Sequence, residues 1–149
     1  MRVALDTNIL AYAEGLNGAQ MKDKSVALLA TLPPGSVLLP TQVLAELFNI
    51  LVRKAKQARE AAEASVMRWR SEYQTIDTSV SVLDSALELA VHNQFAIWDA
   101  LVLSAAAEGG CRLLLSEDLH NGFSWRGVIA ANPFVEPRNP LLAGISSHP

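Results

Sequence analysis

At 149 residues the chain has the length of one domain and can bury a sizeable core without disulfides or a structural metal. Half of it is hydrophobic, yet no apolar run approaches the roughly 18 to 20 residues of a membrane span, and no basic leader with a cleavage site is present, so the expectation is one cytoplasmic globular unit with no membrane association. A net charge of -3 argues against nucleic-acid binding by bulk charge while leaving room for a local basic patch, and the lone Cys111 reads as a buried, inert thiol in a reducing compartment.

In chain order, residues 2–6 read as a short buried strand, because Val3, Ala4 and Leu5 form an apolar run that ends at polar Asp6, Thr7 and Asn8. A short helix follows to about Glu14, broken by Gly15 and Gly18. A second helix covers 22–32 and stops at Pro33, Pro34 and Gly35, and a strand covers 37–39. From Pro40 and Thr41 a longer helix carries Val43, Leu44, Leu47, Phe48 and Leu51 at helical spacing, with Gln42, Glu46, Asn49 and Arg53 on its other stripe. Residues 58–72 are rich in Ala, Glu and Arg and predict an antiparallel partner helix, and 73–77 a third strand. An amphipathic helix over 79–93 is expected to face inward with Val80, Leu83, Leu87 and Val91. The most apolar helix covers 97–108 and closes at Gly109-Gly110; 113–115 and 128–130 complete the strands. Strands alternating with helices imply a parallel, doubly wound α/β sheet covered on both faces, forming one domain over 1–136 with a loose tail over 137–149.

Among fifteen acids, most have ordinary explanations as solvated helix surface. Asp99 does not: its helical neighbours Phe95, Ala96, Val102 and Leu103 are apolar, so it is expected to be buried, where a carboxylate needs a cation or strong donors. A structural acid satisfied by backbone donors at the helix start is the other reading. Asp6 and Asp118 sit at or just beyond the carboxyl ends of apolar strands, the edge where ligands bind in open parallel sheets; either alone could satisfy nearby amides in a loop. Glu46 is equally compatible with an ordinary surface stripe. Carboxylates brought together raise one another's pKa, and a hard divalent cation, Mg2+ or Mn2+, relieves this. One cysteine and His92, His120 and His148 do not match zinc spacing, and His120 is expected to serve a turn. Arg53, Lys54, Lys56 and Arg59, followed by Arg68 and Arg70, make either a solvated helix face or a grip on a phosphate backbone.

Taken together, Leu5-Asp6-Thr7-Asn8-Ile9-Leu10, Glu46, Trp98-Asp99-Ala100-Leu101, Leu115-Ser116-Glu117-Asp118-Leu119 and the late Asn132-Pro133-Phe134 resemble the PIN-domain ribonucleases, especially the VapC-like toxins of bacterial toxin-antitoxin pairs. The resemblance spans nearly the whole chain. It implies a Rossmann-like α/β/α sandwich and Mg2+- or Mn2+-dependent endonucleolytic cleavage of RNA. Asp6, Glu46, Asp99 and Asp118 match the family's acidic positions, Thr7 and Asn8 a polar pair supporting the first acid, and Ser116 a hydroxyl near the last. It also implies a cognate antitoxin, and exposed apolar positions on the early helices would suit a homodimer. Two rivals follow from the same residues. A haloacid dehalogenase-like, Mg2+-dependent phosphatase also begins with an acid after its first strand, but it needs a second Asp where this chain has Asn8. A non-catalytic RNA- or protein-binding module would keep the acids as structural groups.

Overall fold

A computed structural model describes residues 1–146; His148 lies outside them. The chain runs β1 (Arg2–Leu5), α1 (Thr7–Ala13), α2 (Ala19–Thr31), β2 (Val37–Pro40), α3 (Thr41–Arg53), α4 (Arg59–Glu72), β3 (Gln74–Ile76), α5 (Val80–Asn93), α6 (Ile97–Glu108), β4 (Cys111–Leu115), β5 (Ser124–Trp125), β6 (Val128–Ala131) and α7 (Pro140–Ser146). The strands form one sheet in the order β3-β2-β1-β4-β6-β5. Every pairing is parallel except that of β5 with β6.

Val3, Ala4 and Leu5 of β1, and Leu113, Leu114 and Leu115 of β4, are all fully buried. Successive strand residues point to opposite faces, so burial of three in a row means that both faces of the sheet are covered. This is the expected α/β architecture. The helix α6 packs on β2, β4 and β6, and α3 packs on β2. No helix among the described residues is long and apolar enough to cross a membrane. Cys111 is buried, which pushes its thiol up to about 11 and keeps it protonated.

The sheet order fixes where a ligand can enter. From β1 the chain steps outward through β2 to β3, then returns to place β4 on the other side of β1. The connections leaving β1 and β4 therefore part in opposite directions, which opens a crevice above their carboxyl ends.

Four expectations are corrected. The second helix begins three residues early, at Ala19, because Gly18 at φ 94° turns the chain directly into it. The strand β5 is an addition; two residues carry no readable period. The tail contains α7, whose Leu142 is fully buried, so 140–146 is not loose chain. The largest correction concerns α5. Its buried residues are Val82, Ser85, Ala86 and Leu89, whereas Val80, Leu83, Leu87 and Val91 are exposed at 75%, 42%, 48% and 73%. The small side chains of Ser85 and Ala86 on α5 meet an α6 that is itself rich in alanine. Close approach of the two helices favours that face over the bulkier one.

Candidate active site

Four of the expected acids meet in one cleft above β1 and β4. Its lining includes Asp6, Thr7, Asn8, Glu46, Lys54, Asp99 and Asp118, brought from the end of β1, from α1, α3 and α6, and from the loop after β4. Ser116 supports it from below.

Asp6 is the N-cap of α1 and is buried. Its backbone N–H still belongs to the sheet, donating to the Leu115 carbonyl at 2.9 Å. The side chain is held at both oxygens: the Thr7 N–H donates to Oδ1 at 2.8 Å and the Ser116 hydroxyl to Oδ2 at 2.7 Å. Ser116 Oγ in turn accepts from the Asp118 and Leu119 N–H groups at 3.2 and 3.3 Å, so one hydroxyl fixes the turn after β4 and the first acid together. Asn8 completes this bridge, with Nδ2 donating to Asp118 Oδ2 at 3.1 Å and Oδ1 accepting from the Glu117 N–H at 3.3 Å.

Glu46 is partly buried and also held at both oxygens. The Thr7 hydroxyl donates to Oε2 at 2.7 Å and Gln42 Nε2 to Oε1 at 2.8 Å. Gln42 Nε2 reaches on to the Trp98 carbonyl at 3.0 Å, tying α3 to the start of α6. Sequence reading placed Gln42 on the same stripe as Glu46 without giving it a role; its i, i+4 relation to Glu46 was the available signal.

Asp99 differs from its expected setting. The helix α6 is buried from Ala100 to Ala106, but Asp99 is in its first turn and opens into the cleft. The backbone-donor alternative also falls away: among the described residues no hydrogen bond or ion pair reaches its carboxylate. Its carboxyl is held above the usual range, first by partial loss of hydration in the cleft and then by the charges of Glu46 and Asp118. Asp6 is raised to about 6, chiefly by burial, against the lowering bonds from Ser116 and Thr7; Asp99 and Glu46 add to the rise.

Among the described residues none of the four acids is paired with Lys, Arg or His. The donors facing the cleft are all hard oxygens with mutually unfavourable charge, a set that fits a hard divalent cation. No three acidic, His or Cys side chains among the described residues are gathered tightly enough to grip an ion by themselves. An all-oxygen site of this kind suits an ion that retains several waters.

The six basic residues separate. Only Lys54 lines the cleft. Arg53, Lys56, Arg59 and Arg70 are exposed on or between α3 and α4. Arg68 is engaged: its Nη2 lies 2.8 Å from Glu14 Oε1, which also accepts from Trp69 Nε1 at 2.7 Å. His120 is exposed outside the cleft, and its carbonyl accepts from the Phe123 N–H in a turn. Tyr12, Leu16, Asn17 and Ile50 also line the cleft and were not singled out by the sequence reading, since Tyr12 and Ile50 look like core positions on amphipathic helices.

The fold has well-matched solved relatives. Mycobacterium tuberculosis VapC20, described as a sarcin-ricin loop cleaving toxin, shares 21% identity at a TM-score of 0.63, over 75% of this chain and 86% of that one. A toxin-antitoxin complex from Klebsiella pneumoniae gives 19% identity and a TM-score of 0.64, covering 89% and 98%. PAE2754 from Pyrobaculum aerophilum gives 19% and 0.63, covering 99% and 91%. Comparison with curated proteins gives no match. The PIN domain family model matches residues 3–123, a span that holds all four acids together with the threonine, asparagine and serine that orient them, and the chain therefore belongs to the PIN domain family.

Proposed function

We propose that the chain is a divalent-metal-dependent endoribonuclease acting in the cytoplasm as the toxin of a toxin-antitoxin pair. The observation that carries the reading is the convergence of Asp6, Glu46, Asp99 and Asp118 in one cleft with no paired cation among the described residues. Solved relatives described as a sarcin-ricin loop cleaving toxin and as a toxin-antitoxin complex support RNA as substrate and an antitoxin as partner.

Asp6, Glu46, Asp99 and Asp118 would hold Mg2+ or Mn2+, partly through water. Such an ion supplies Lewis acidity at a phosphate oxygen and lowers the pKa of the attacking water. Ser116 and Thr7 hold the Asp6 carboxylate in one orientation, and Asn8 does the same for Asp118. Both Glu46 oxygens already accept hydrogen bonds, whereas Asp118 is exposed and, among the described residues, only its Oδ2 accepts one. Asp118 is therefore the better acceptor for the proton released by water in an in-line attack. Lys54 faces the same cleft and would bind an RNA phosphate. Arg53, Lys56, Arg59 and Arg70 extend that attraction outside it, with Arg68 contributing less because Glu14 neutralises it.

Exposed apolar residues on α5 support a homodimer. Val80, Leu83, Leu87 and Val91 recur at helical spacing along one stripe that the fold leaves uncovered. On this reading the self-association surface would be α5 in place of the early helices.

The deciding experiment incubates purified protein with total RNA in Mg2+, Mn2+ or EDTA and maps the cut ends. Metal-dependent cuts that vanish in Asp6→Asn and Asp99→Asn are expected. Cleavage that persists undiminished in both variants or in EDTA would refute the reading.

A further inference from the structure

The cleft continues past the acids. Glu46, Ile50 and Lys54 stand at i, i+4 and i+8 on α3, so they form one stripe into the cleft over about 12 Å. Across from it, α1 contributes Asn8 at the acidic end and Tyr12 one turn on, and the following loop adds Leu16 and Asn17. The two halves of the cleft thus differ in chemistry. The near half is carboxylate; the far half has two half-buried aliphatic side chains, Leu16 and Ile50, a carboxamide and one ammonium.

The loop that presents Asn17 has defined geometry. Asn17 has φ 65° between Gly15 at 108° and Gly18 at 94°, a left-handed run that Asn and Gly tolerate. Its N-terminal side is pinned by the Leu16 N–H donating to the Ala11 carbonyl at 3.0 Å. Tyr12 and Asn17 line the same cleft as Asp118.

We propose that the far half of the cleft is a subsite for one unpaired nucleobase adjoining the scissile phosphate, with Asn17 reading the base edge, Leu16 and Ile50 covering its faces and Lys54 binding the next phosphate. The proposal rests on the ribonuclease reading above and adds a specificity element to it. A cleft of about 460 Å³ has room for a nucleotide beside the acids and none for a duplex, so the occupant is single-stranded. A carboxamide offers a donor and an acceptor side by side, the pattern that discriminates base edges. Aliphatic walls exclude water from those bonds and so raise the cost of a mismatched edge.

Asn17→Gly removes the carboxamide and keeps the left-handed backbone accessible. Wild type and variant are given a randomised single-stranded RNA with Mn2+, and the cut sites are sequenced. The expected result is a base preference at one position beside the cut that falls about tenfold in the variant while preferences elsewhere stay. A wild type without base preference, or a variant with the wild-type preference unchanged, overturns the subsite. A second arm is independent of cleavage: the four nucleoside 5′-monophosphates are titrated into metal-free protein while the Leu16 and Ile50 methyl resonances are followed. One base shifting these methyls more than the others, with the selectivity lost in Asn17→Gly, supports the subsite, and methyls that do not respond overturn it. If wild type leaves RNA uncut, the ribonuclease reading fails by itself and this titration alone decides the subsite.

Discussion

Replacing Asp6 by Asn should make the metal-free protein more stable at neutral pH, although it removes a residue of the site. The Asp6 carboxyl is raised from 3.8 to about 6, mainly by burial and further by Asp99 and Glu46. A rise of about two units corresponds to about 3 kcal/mol at 1.36 kcal/mol per unit. Between pH ~4 and ~6 the folded chain holds a proton on Asp6 that the unfolded chain has released, so the contribution of Asp6 to stability is most favourable below pH ~4, falls through this window and levels off above it. Asn keeps a carbonyl for the Thr7 N–H but leaves the Ser116 hydroxyl without its acceptor, at a cost of about 1 kcal/mol. The net gain at pH 8 is about 2 kcal/mol, or roughly 4 to 8 °C in melting temperature for a domain of this size. Thermal unfolding followed by circular dichroism in EDTA from pH 4 to 8 measures it. The gain should be gone at pH 4, where the wild-type carboxyl is protonated. A variant no more stable than wild type at pH 8, or an offset that does not change with pH, would refute the electrostatic account of Asp6.

Mn2+ in hundredfold excess over its dissociation constant should stabilise the wild type by about 2.7 kcal/mol, read as a rising melting temperature, and Asp99→Asn should blunt the response; a flat wild-type titration would remove the metal from the site. Glu14→Ala should cost about 1 to 2 kcal/mol in urea unfolding, because Glu14 Oε1 accepts from buried Trp69 as well as from Arg68 and alanine leaves the indole N–H without an acceptor. The Arg68 side chain is 54% exposed, so Arg68→Ala should cost only about 0.5 kcal/mol, and an equal or larger loss would contradict this division. Leu87→Glu on α5 should leave the melting temperature within about 2 °C, since the residue is 48% exposed, while converting dimer to monomer in light scattering; a monomeric wild type would dismiss the α5 interface.

The strand and helix pattern was legible because the relevant signals are local. Apolar triplets such as Val3-Ala4-Leu5 and Leu113-Leu114-Leu115 can only be satisfied inside a sheet covered on both faces, and glycine and proline mark most of the boundaries. Asp6 and Asp118 were legible for the same reason, the first directly after β1 and the second in the turn just beyond β4, at strand ends that the sequence announces. Asp99 was singled out on a partly mistaken premise: a hydrophobic helix is buried along its length, but its first turn can still face a cleft.

Other features depend on which surfaces meet. The helix α5 has two apolar faces, and only contact with α6 selects the one with small residues, leaving Val80, Leu83, Leu87 and Val91 outside. Tyr12, Asn17 and Ile50 have no anomalous sequence pattern, and they face the cleft only because α1 packs against α3. The sequence by itself determined the elements and most of the acidic set, because propensity, period and strand ends are written in neighbouring residues. The tertiary structure alone decided which oxygens are held, which basic residue enters the cleft and which apolar stripe stays uncovered, because hydrogen bonding, desolvation and charge repulsion act between residues about a hundred positions apart, as between Asp6 and Ser116.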